Sequence, residues 1–212
     1  ASVRRSLSCV LLITLLLTGC KSGGGAESPE NLAARIRAEY LSVTAFTAQL
    51  DIHGDYGQRV YDFTLDTSWR KAGETVLTVT APELIAGITA RIGKGEALLE
   101  YDGASLSTGP LSGDGMTPLE AVPFLMEQVT GGYMARCSLE TEGERQVLRV
   151  FCRDPNNAEG TGRECALYFD TDSHDLLRAE LSYDGAVVLT AALTNFTKEM
   201  TNDEAGDDAD LG

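Results

Sequence analysis

Thiols are the most reactive groups that this sequence offers, and three of its five cysteines fall in its second half. Cys137 and Cys152 flank the turn at Gly143-Glu144, in phase with apolar neighbours, which predicts a disulfide between two paired strands. A bond between Cys152 and Cys165, across the next loop, is the alternative. Either bond leaves one thiol over, and no spacing is the Cys-x-x-Cys of a redox motif or zinc site. A structural crosslink is therefore predicted, without catalysis.

Cys20 stands in a different context, at the end of an apolar run over residues 7–17 that two arginines precede. Its eleven residues are fewer than the roughly 20 that span a bilayer, so the run fits a cleavable signal peptide. The segment Leu17-Thr18-Gly19-Cys20 resembles the bacterial lipobox, in which the cysteine thiol accepts a diacylglycerol. The sequence therefore predicts a lipoprotein signal peptide over residues 1–19 and a lipid anchor on Cys20.

Composition divides the rest of the chain into three parts. Residues 20–28 carry the lipidated cysteine on a glycine-rich, flexible tether. Residues 29–199 have the length and apolar content of one folded domain, and the acidic residues 200–212 are predicted to be disordered. We therefore expect an extracytoplasmic domain that is lipid-anchored to a bacterial membrane.

Charge excludes one class of partner. The chain has 17 basic and 32 acidic residues, a net charge of −15. Nucleic acid and anionic lipid surfaces would repel such a domain. The membrane is therefore expected to be reached through the anchor alone, and no nucleic acid is expected as a partner.

The two histidines do not predict an active site. His53 falls at a strand end and His174 in a turn, and both are expected at the surface. A catalytic triad needs a base that a third group holds beside the nucleophile, and nothing in the sequence positions either ring in that way. We expect no enzyme and no cofactor.

The segment from Asp170 to Asp175 begins like a calcium-binding loop. The EF-hand pattern requires glycine at position six and glutamate at position twelve, where this chain has Asp175 and Leu181. A β-turn is the better prediction, and no metal is expected.

Hydrophobic periodicity predicts two helices. Residues 29–44 follow the candidate N-cap Ser28, and Pro118–Thr130 ends at a glycine pair. Pro123 predicts a kink or a short first turn in the second helix. Their apolar stripes comprise Leu32, Ile36, Tyr40 and Val43, and Leu119, Val122, Leu125, Met126 and Val129.

Alternation with a period of two predicts strands elsewhere. They cover residues 46–53, 61–69, 76–80, 88–92, 97–101, 133–140, 146–153, 164–170, 176–183 and 186–197. Residues 81–87 are predicted to form an apolar loop or short helical turn, and residues 102–117 mainly a loop. Because the sheet needs a cover for its apolar face, an α+β fold follows: a curved antiparallel sheet forming a half-open, unclosed β-barrel that two helices cover.

This order of elements resembles the LolA/LolB superfamily of lipoprotein carriers. The resemblance is carried by the helix at Leu32–Tyr40 leading into Phe46–Ile52, by Glu100-Tyr101-Asp102-Gly103, by Pro118–Val129, and by the stretches 167–170, 176–180, 184–185 and 193–196. It implies an unclosed barrel with an apolar cavity for acyl chains. The chain would then be a non-enzymatic carrier or receptor for a lipid or a lipidated protein.

Two sets of residues are candidates for binding. Apolar sheet and helix residues are predicted to line the ligand cavity, although an ordinary packed core explains the same residues. The exposed-looking Leu84 and Ile85 are the candidate docking loop for an envelope protein, as in lipoproteins of the spore-germination type, which would need no lipid cargo. The cavity candidates are Phe63, Leu65, Trp69, Leu77, Val79, Ile88, Leu99, Leu119, Phe124 and Leu125.

Overall fold

The computed structural model of the chain describes residues 27–201. The predicted signal peptide, Cys20 and most of the predicted tether and acidic tail lie outside the described residues. Within residues 27–201, neither helix is long and apolar enough to cross a bilayer.

The first helix, α1, spans Pro29–Ser42. The Oγ of Ser28 accepts a hydrogen bond from the backbone N–H of Asn31 at 3.2 Å and caps the helix. The helix ends two residues before its predicted end, because Val43 already pairs with Met200 in the sheet. Its buried face consists of Leu32, Ala33, Ile36 and Tyr40.

Eleven strands form one antiparallel sheet in the order β6-β5-β4-β3-β2-β1-β11-β10-β9-β8-β7. In the described part of the chain the edge strands β6 and β7 do not pair, so the sheet stays open. The strands are β1 Val43–Asp55, β2 Val60–Arg70, β3 Thr75–Ala81, β4 Thr89–Gly93, β5 Glu96–Tyr101, β6 Ala104–Pro110, β7 Met134–Glu142, β8 Arg145–Arg153, β9 Arg163–Asp170, β10 Leu176–Tyr183 and β11 Ala186–Met200.

Most predicted elements are confirmed, and β6 is the exception. Its seven residues were predicted as loop because glycine, serine and proline dominate them, yet they pair with β5, with Leu106 opposite Leu99. An exposed edge strand is held by backbone hydrogen bonds to one neighbouring strand. It buries no face against the core, so its sequence lacks the apolar alternation by which a half-buried strand is recognised. β11 likewise continues to Met200, one residue past the predicted end of the domain.

The second helix, α2, spans Pro118–Gly131, and Pro123 lies inside it without ending it. The predicted short helical turn is a 3₁₀ turn at Glu83–Ile85 between β3 and β4. The predicted hairpin at Asp184-Gly185 joins β10 to β11, and both residues have positive φ angles, as a two-residue hairpin turn requires.

Both helices pack on the inner face of the sheet and form with it the main hydrophobic core. The half-open antiparallel sheet covered by two helices, which the sequence predicts, is confirmed. A smaller cluster lies apart from this core and contains Val147, Phe151, Ala166 and Tyr168.

Candidate ligand-binding site

An apolar cavity lies between the inner face of strands β2–β5 and the N-terminal end of α2. Its volume is about 270 Å³. The side-chain hydroxyl of Thr117 is the one polar side-chain group among the lining residues, and none of these residues can titrate. They are Phe63, Leu65, Leu77, Val79, Ile88, Ala90, Leu99, Thr117, Pro118 and Leu119.

Strand register places these residues side by side. Leu65 of β2 lies opposite Val79 of β3. In the adjacent row, Leu77 of β3 lies opposite Ala90 of β4, and Ala90 lies opposite Leu99 of β5. Because alternate residues of a strand point to the same face, these two rows present a continuous apolar surface toward the helix.

Seven of the ten predicted cavity residues line this single cavity. Trp69 and Phe124 instead line a neighbouring cleft, and Leu125 is buried in the core and lines neither space. Three further lining residues, Ala90, Thr117 and Pro118, are not among those that the sequence predicts. Ala90 could have been found, because it shares the phase of Ile88 on its strand, whereas the loop before α2 shows no periodicity. The role of these residues in binding a ligand stays a prediction.

The neighbouring cleft, called here the cationic cleft, has a volume of about 290 Å³. Its floor is apolar and includes Trp69, Ile92 and Phe124. Its cationic side chains come from two hairpin turns at one end of the sheet, and α2 closes its other side. Besides glycines it is lined by Trp69, Arg70, Lys71, Thr75, Ile92, Lys94, Leu111, Glu120, Pro123, Phe124 and Glu127.

A buried carboxylate holds the N-terminal end of α2. Glu120 is 5% exposed, and it accepts hydrogen bonds from the hydroxyl groups of Ser112 and Thr117 and from the backbone N–H of Gly113. These contacts tie the loop before α2 to its first turn, where a carboxylate also suits the helix dipole. The helix cover of the apolar cavity is therefore anchored at this end.

The thiols of Cys137, Cys152 and Cys165 are free, so neither the predicted disulfide between Cys137 and Cys152 nor the alternative between Cys152 and Cys165 is formed. Cys137 lies opposite Val150 on β8, so register does not align it with Cys152. Cys152 lies opposite Cys165 on β9 instead. Burial raises the pKa of the Cys152 thiol to about 11 and that of Cys165 well above its usual value.

His174 is not at the surface, contrary to the prediction. Its side chain is 14% exposed, and its Nδ1 lies 2.6 Å from Oε2 of Glu39 on α1. Oε1 of Glu39 lies 2.7 Å from Nζ of Lys198, on β11. Burial would raise the pKa of Glu39, but hydrogen bonds from Lys198 and His174 outweigh it and hold this pKa below 4.5. The cluster joins α1 to the β9–β10 turn and to the last strand.

The predicted surface positions of His53 and Leu84 are confirmed. The side chain of His53 is 55% exposed and lies beside Asp62. Leu84 is 89% exposed at the 3₁₀ turn, whereas Ile85 is half-buried. The segment after Asp170 is a turn in which the Asp170 carboxylate accepts two backbone hydrogen bonds. Among residues 27–201, no group of three or more His, Cys, Asp or Glu side chains could hold a metal ion.

No family model matches the chain, and no curated protein matches its sequence. Solved structures do align with it. An uncharacterized conserved protein from Thermus thermophilus aligns with 82% of this chain and 90% of its own, with a TM-score of 0.48 and 12% identity. LprF from Mycobacterium bovis aligns with 84% of this chain and 97% of its own, with a TM-score of 0.45 and 13% identity.

A LolA superfamily protein from Nitrosomonas europaea aligns with 84% of this chain and 96% of its own, with a TM-score of 0.42 and 11% identity. At these identities the likeness concerns the fold alone.

Proposed function

We propose that this chain is an exported, lipid-anchored protein that binds an acyl chain in the apolar cavity between β2–β5 and α2. It would act as a carrier or receptor for a lipid or a lipidated protein, without catalysing a reaction. Its anchor would be a diacylglycerol on Cys20, and the lining of the cavity would supply the binding energy.

One observation carries this proposal: the lining of the apolar cavity. Packed protein interiors leave few voids larger than a water molecule, whereas an apolar cavity of about 270 Å³, partly open to solvent, lies between the sheet and α2. An engineered apolar cavity of about 150 Å³ takes a benzene ring. By that scale, this cavity accommodates on the order of ten carbon atoms, which corresponds to one medium-length acyl chain.

Burial alone provides the affinity in this mechanism. Each methylene group transferred from water into the cavity contributes about 0.8 kcal/mol. The single lining hydroxyl, that of Thr117, stands at the helix end of the cavity. A second acyl chain, or a bulkier lipid, would require α2 to move away from the sheet.

The proposal is tested by filling the cavity. A soluble form lacking residues 1–20 is purified without detergent, incubated with dodecanoate or methyl dodecanoate, and measured by native mass spectrometry. We expect a one-to-one complex with the wild-type domain. Leu65→Trp or Leu77→Trp should remove the complex, because the added ring occupies the space of the ligand.

Leu98→Trp is the matched control, since Leu98 lies on β5 between two inward-facing residues and is exposed. A wild-type domain that binds neither compound would contradict the proposal. So would cavity-filling variants that bind as well as Leu98→Trp does.

The anchor needs its own test, because Cys20 lies outside the described residues. In cells supplied with labelled palmitate, we expect the label on the wild-type chain and its loss in Cys20→Ser. Membrane association should be lost with the label. A Cys20→Ser chain that remains in the membrane fraction would contradict the proposed anchor.

The exposed turn between β3 and β4 supports a second candidate function, the docking of an envelope protein. Leu84 places an apolar side chain in solvent at 89% exposure, and a partner that covered it would remove this apolar surface from water. In this case Leu84→Asp should abolish partner capture in cells without affecting dodecanoate binding. The cavity-filling variants should have the opposite effects.

A further inference from the structure

The apolar cavity and the cationic cleft adjoin on the inner face of the sheet. On β3, Leu77 lines the cavity and Thr75 lines the cleft. On β4, Ala90 lines the cavity and Ile92 lines the cleft. Two residues along a strand correspond to about 6.6 Å. Helix α2 covers both spaces, the cavity with residues 117–119 and the cleft with positions from 120 to 127. One elongated molecule could therefore occupy both.

The rim of the cleft carries three cations. Arg70 and Lys71 belong to the β2–β3 connection, and Lys94 to the β4–β5 turn. None of the three forms an ion pair within residues 27–201, although the chain has an excess of acidic groups. The Lys71 ammonium donates a hydrogen bond to the Leu41 carbonyl at 2.6 Å, which leaves Arg70 and Lys94 without a charged or fixed partner in this part of the chain.

Two carboxylates also line the cleft. Glu120 is already bonded to two hydroxyl groups and a backbone N–H, and Glu127 is exposed on α2. Two further carboxylates lie close to the rim: Glu74 packs beside Gly93 of the cleft, and Glu96 pairs with Gly93 across the β4–β5 turn. The cleft therefore has no net positive charge. An anion would be held by direct contact with Arg70 and Lys94, which form no ion pair within residues 27–201, while charges farther away than about 8 Å are largely screened at physiological salt.

A buried hydroxyl lies on β2 between the residues that line the two spaces. Thr67 stands between Leu65, which lines the cavity, and Trp69, which lines the cleft. It is 5% exposed, and its Oγ1 has no hydrogen-bond partner among the described residues. Because this oxygen is closed to solvent and Thr67 lines neither space, a molecule bound in either would not contact it.

We propose that the cationic cleft binds the anionic head group of the same amphiphile whose acyl chain fills the apolar cavity. The inference rests on the proposed function and adds the class of ligand, a single-chain lipid with a carboxylate or phosphate group. The acyl chain lies between Leu65 and Leu99, and the anion lies among Arg70, Lys71 and Lys94. Arg70 and Lys94 supply the charge-dependent part of the affinity.

Equilibrium binding to the mature full-length protein tests this inference. The probes are dodecanoate, dodecyl phosphate and methyl dodecanoate, which share a chain and differ in head-group charge. The variant Arg70→Gln/Lys94→Gln removes two rim cations and keeps Lys71, whose ammonium also holds a backbone carbonyl. The control Arg35→Gln/Arg59→Gln removes the same charge from two exposed positions that line neither the cavity nor the cleft, and Arg35 forms only an exposed ion pair with Glu27.

We expect the rim variant to weaken at least one anionic probe about three- to tenfold, as for two solvent-exposed charge contacts, and to leave methyl dodecanoate unchanged. The control should leave all three unchanged. The anionic probe that loses more affinity identifies the head group as carboxylate or phosphate. A loss of anionic-probe affinity in the rim variant that the control does not share is the supporting result.

The experiment distinguishes failure of the proposed function from failure of this inference alone. If no probe binds the wild-type protein, the proposed function fails and this inference fails with it. If all three bind and the rim variant binds the anionic probes as tightly as the wild type does, the acyl-chain function stands and this inference is overturned. An equal loss in the rim and control variants would also overturn it, because the effect would then come from net charge.

Discussion

The guanidinium group of Arg37, on α1, lies across the last turn of α2, and its Nε donates a hydrogen bond to the Val129 carbonyl at 2.9 Å. Its second terminal nitrogen donates to the carbonyls of Gly132 at 2.7 Å and Gln128 at 3.3 Å. The last carbonyls of a helix lack partners within the helix and carry its negative dipole end. Arg37 therefore holds the cover of the apolar cavity against the other helix.

Removing this contact should loosen the cover. Arg37→Ala leaves partly buried carbonyl groups without their partner, and we expect the free energy of unfolding to fall by about 1–3 kcal/mol. Chemical denaturation followed by tryptophan fluorescence measures it, since Trp69 lines the cleft beneath α2. Arg35→Ala is the control, because Arg35 forms only an exposed ion pair with Glu27. Equal losses in the two variants would rule out a special role for Arg37.

The buried, unsatisfied hydroxyl of Thr67 should lower the free energy of unfolding. Thr67→Val keeps the shape of the side chain and removes the unsatisfied group, so we expect the unfolding free energy to rise by up to about 1 kcal/mol. Thr108→Val is a suitable comparison, since its hydroxyl exchanges hydrogen bonds with the backbone of Ala97 and its loss should not stabilise the protein. A less stable Thr67→Val would show that the hydroxyl is satisfied in solution.

The cluster of Glu39, His174 and Lys198 should make the stability of the fold depend on pH in the acidic range. The pKa of Glu39 is lower in the folded protein than its ordinary value of 4.5. The contribution of its carboxylate is therefore fully present above pH 4.5, and it is lost as the pH falls through the lower, folded value. Thermal unfolding of the wild type and Glu39→Gln, from neutral pH to about pH 3, should show the two midpoints converging at the acid end. Parallel curves over the whole range would contradict this account.

Thiol reactivity should follow burial. The thiolate is the reactive form, and burial raises the pKa of all three thiols, with Cys165 and Cys152 the most enclosed. In timed alkylation of the reduced, folded protein followed by mass spectrometry, we expect Cys137 to react first. Cys152 and Cys165 should react only as fast as the domain unfolds. Rapid labelling of Cys165 in native buffer would be incompatible with the packing of β8 on β9.

Periodicity was sufficient to predict most of the sheet and both helices. In β1, Phe46, Ala48, Leu50 and Ile52 alternate with polar residues, and all four are buried. Such local patterns survive in the fold because a strand with one buried face requires them at every second position. β6 was not predicted, because an exposed edge strand does not need an apolar residue at every second position.

Which side chains meet across the sheet depends on register, and the sequence does not encode register locally. Cys137 and Cys152 flank the turn almost symmetrically, which predicts that they pair, but the register places Val150 opposite Cys137. The two-residue turn at Gly143-Glu144 sets this register by pairing Glu142 with Arg145, and it leaves Cys152 two residues too far along β8. His174 was misplaced for a related reason, since its partner Glu39 lies 135 positions away.

The sequence by itself determined that apolar residues line one face of the sheet, and it named seven residues of the cavity. Only the tertiary structure decided that α2 leaves space above them, that Trp69 and Phe124 belong to a separate cleft, and that Arg70 and Lys94 meet at its rim. The reason is physical: alternation assigns a residue to a face, whereas a cavity is the space that two packed elements fail to fill. That space depends on where Arg37 and Glu120 hold the two ends of one helix, and those contacts join residues far apart in the chain.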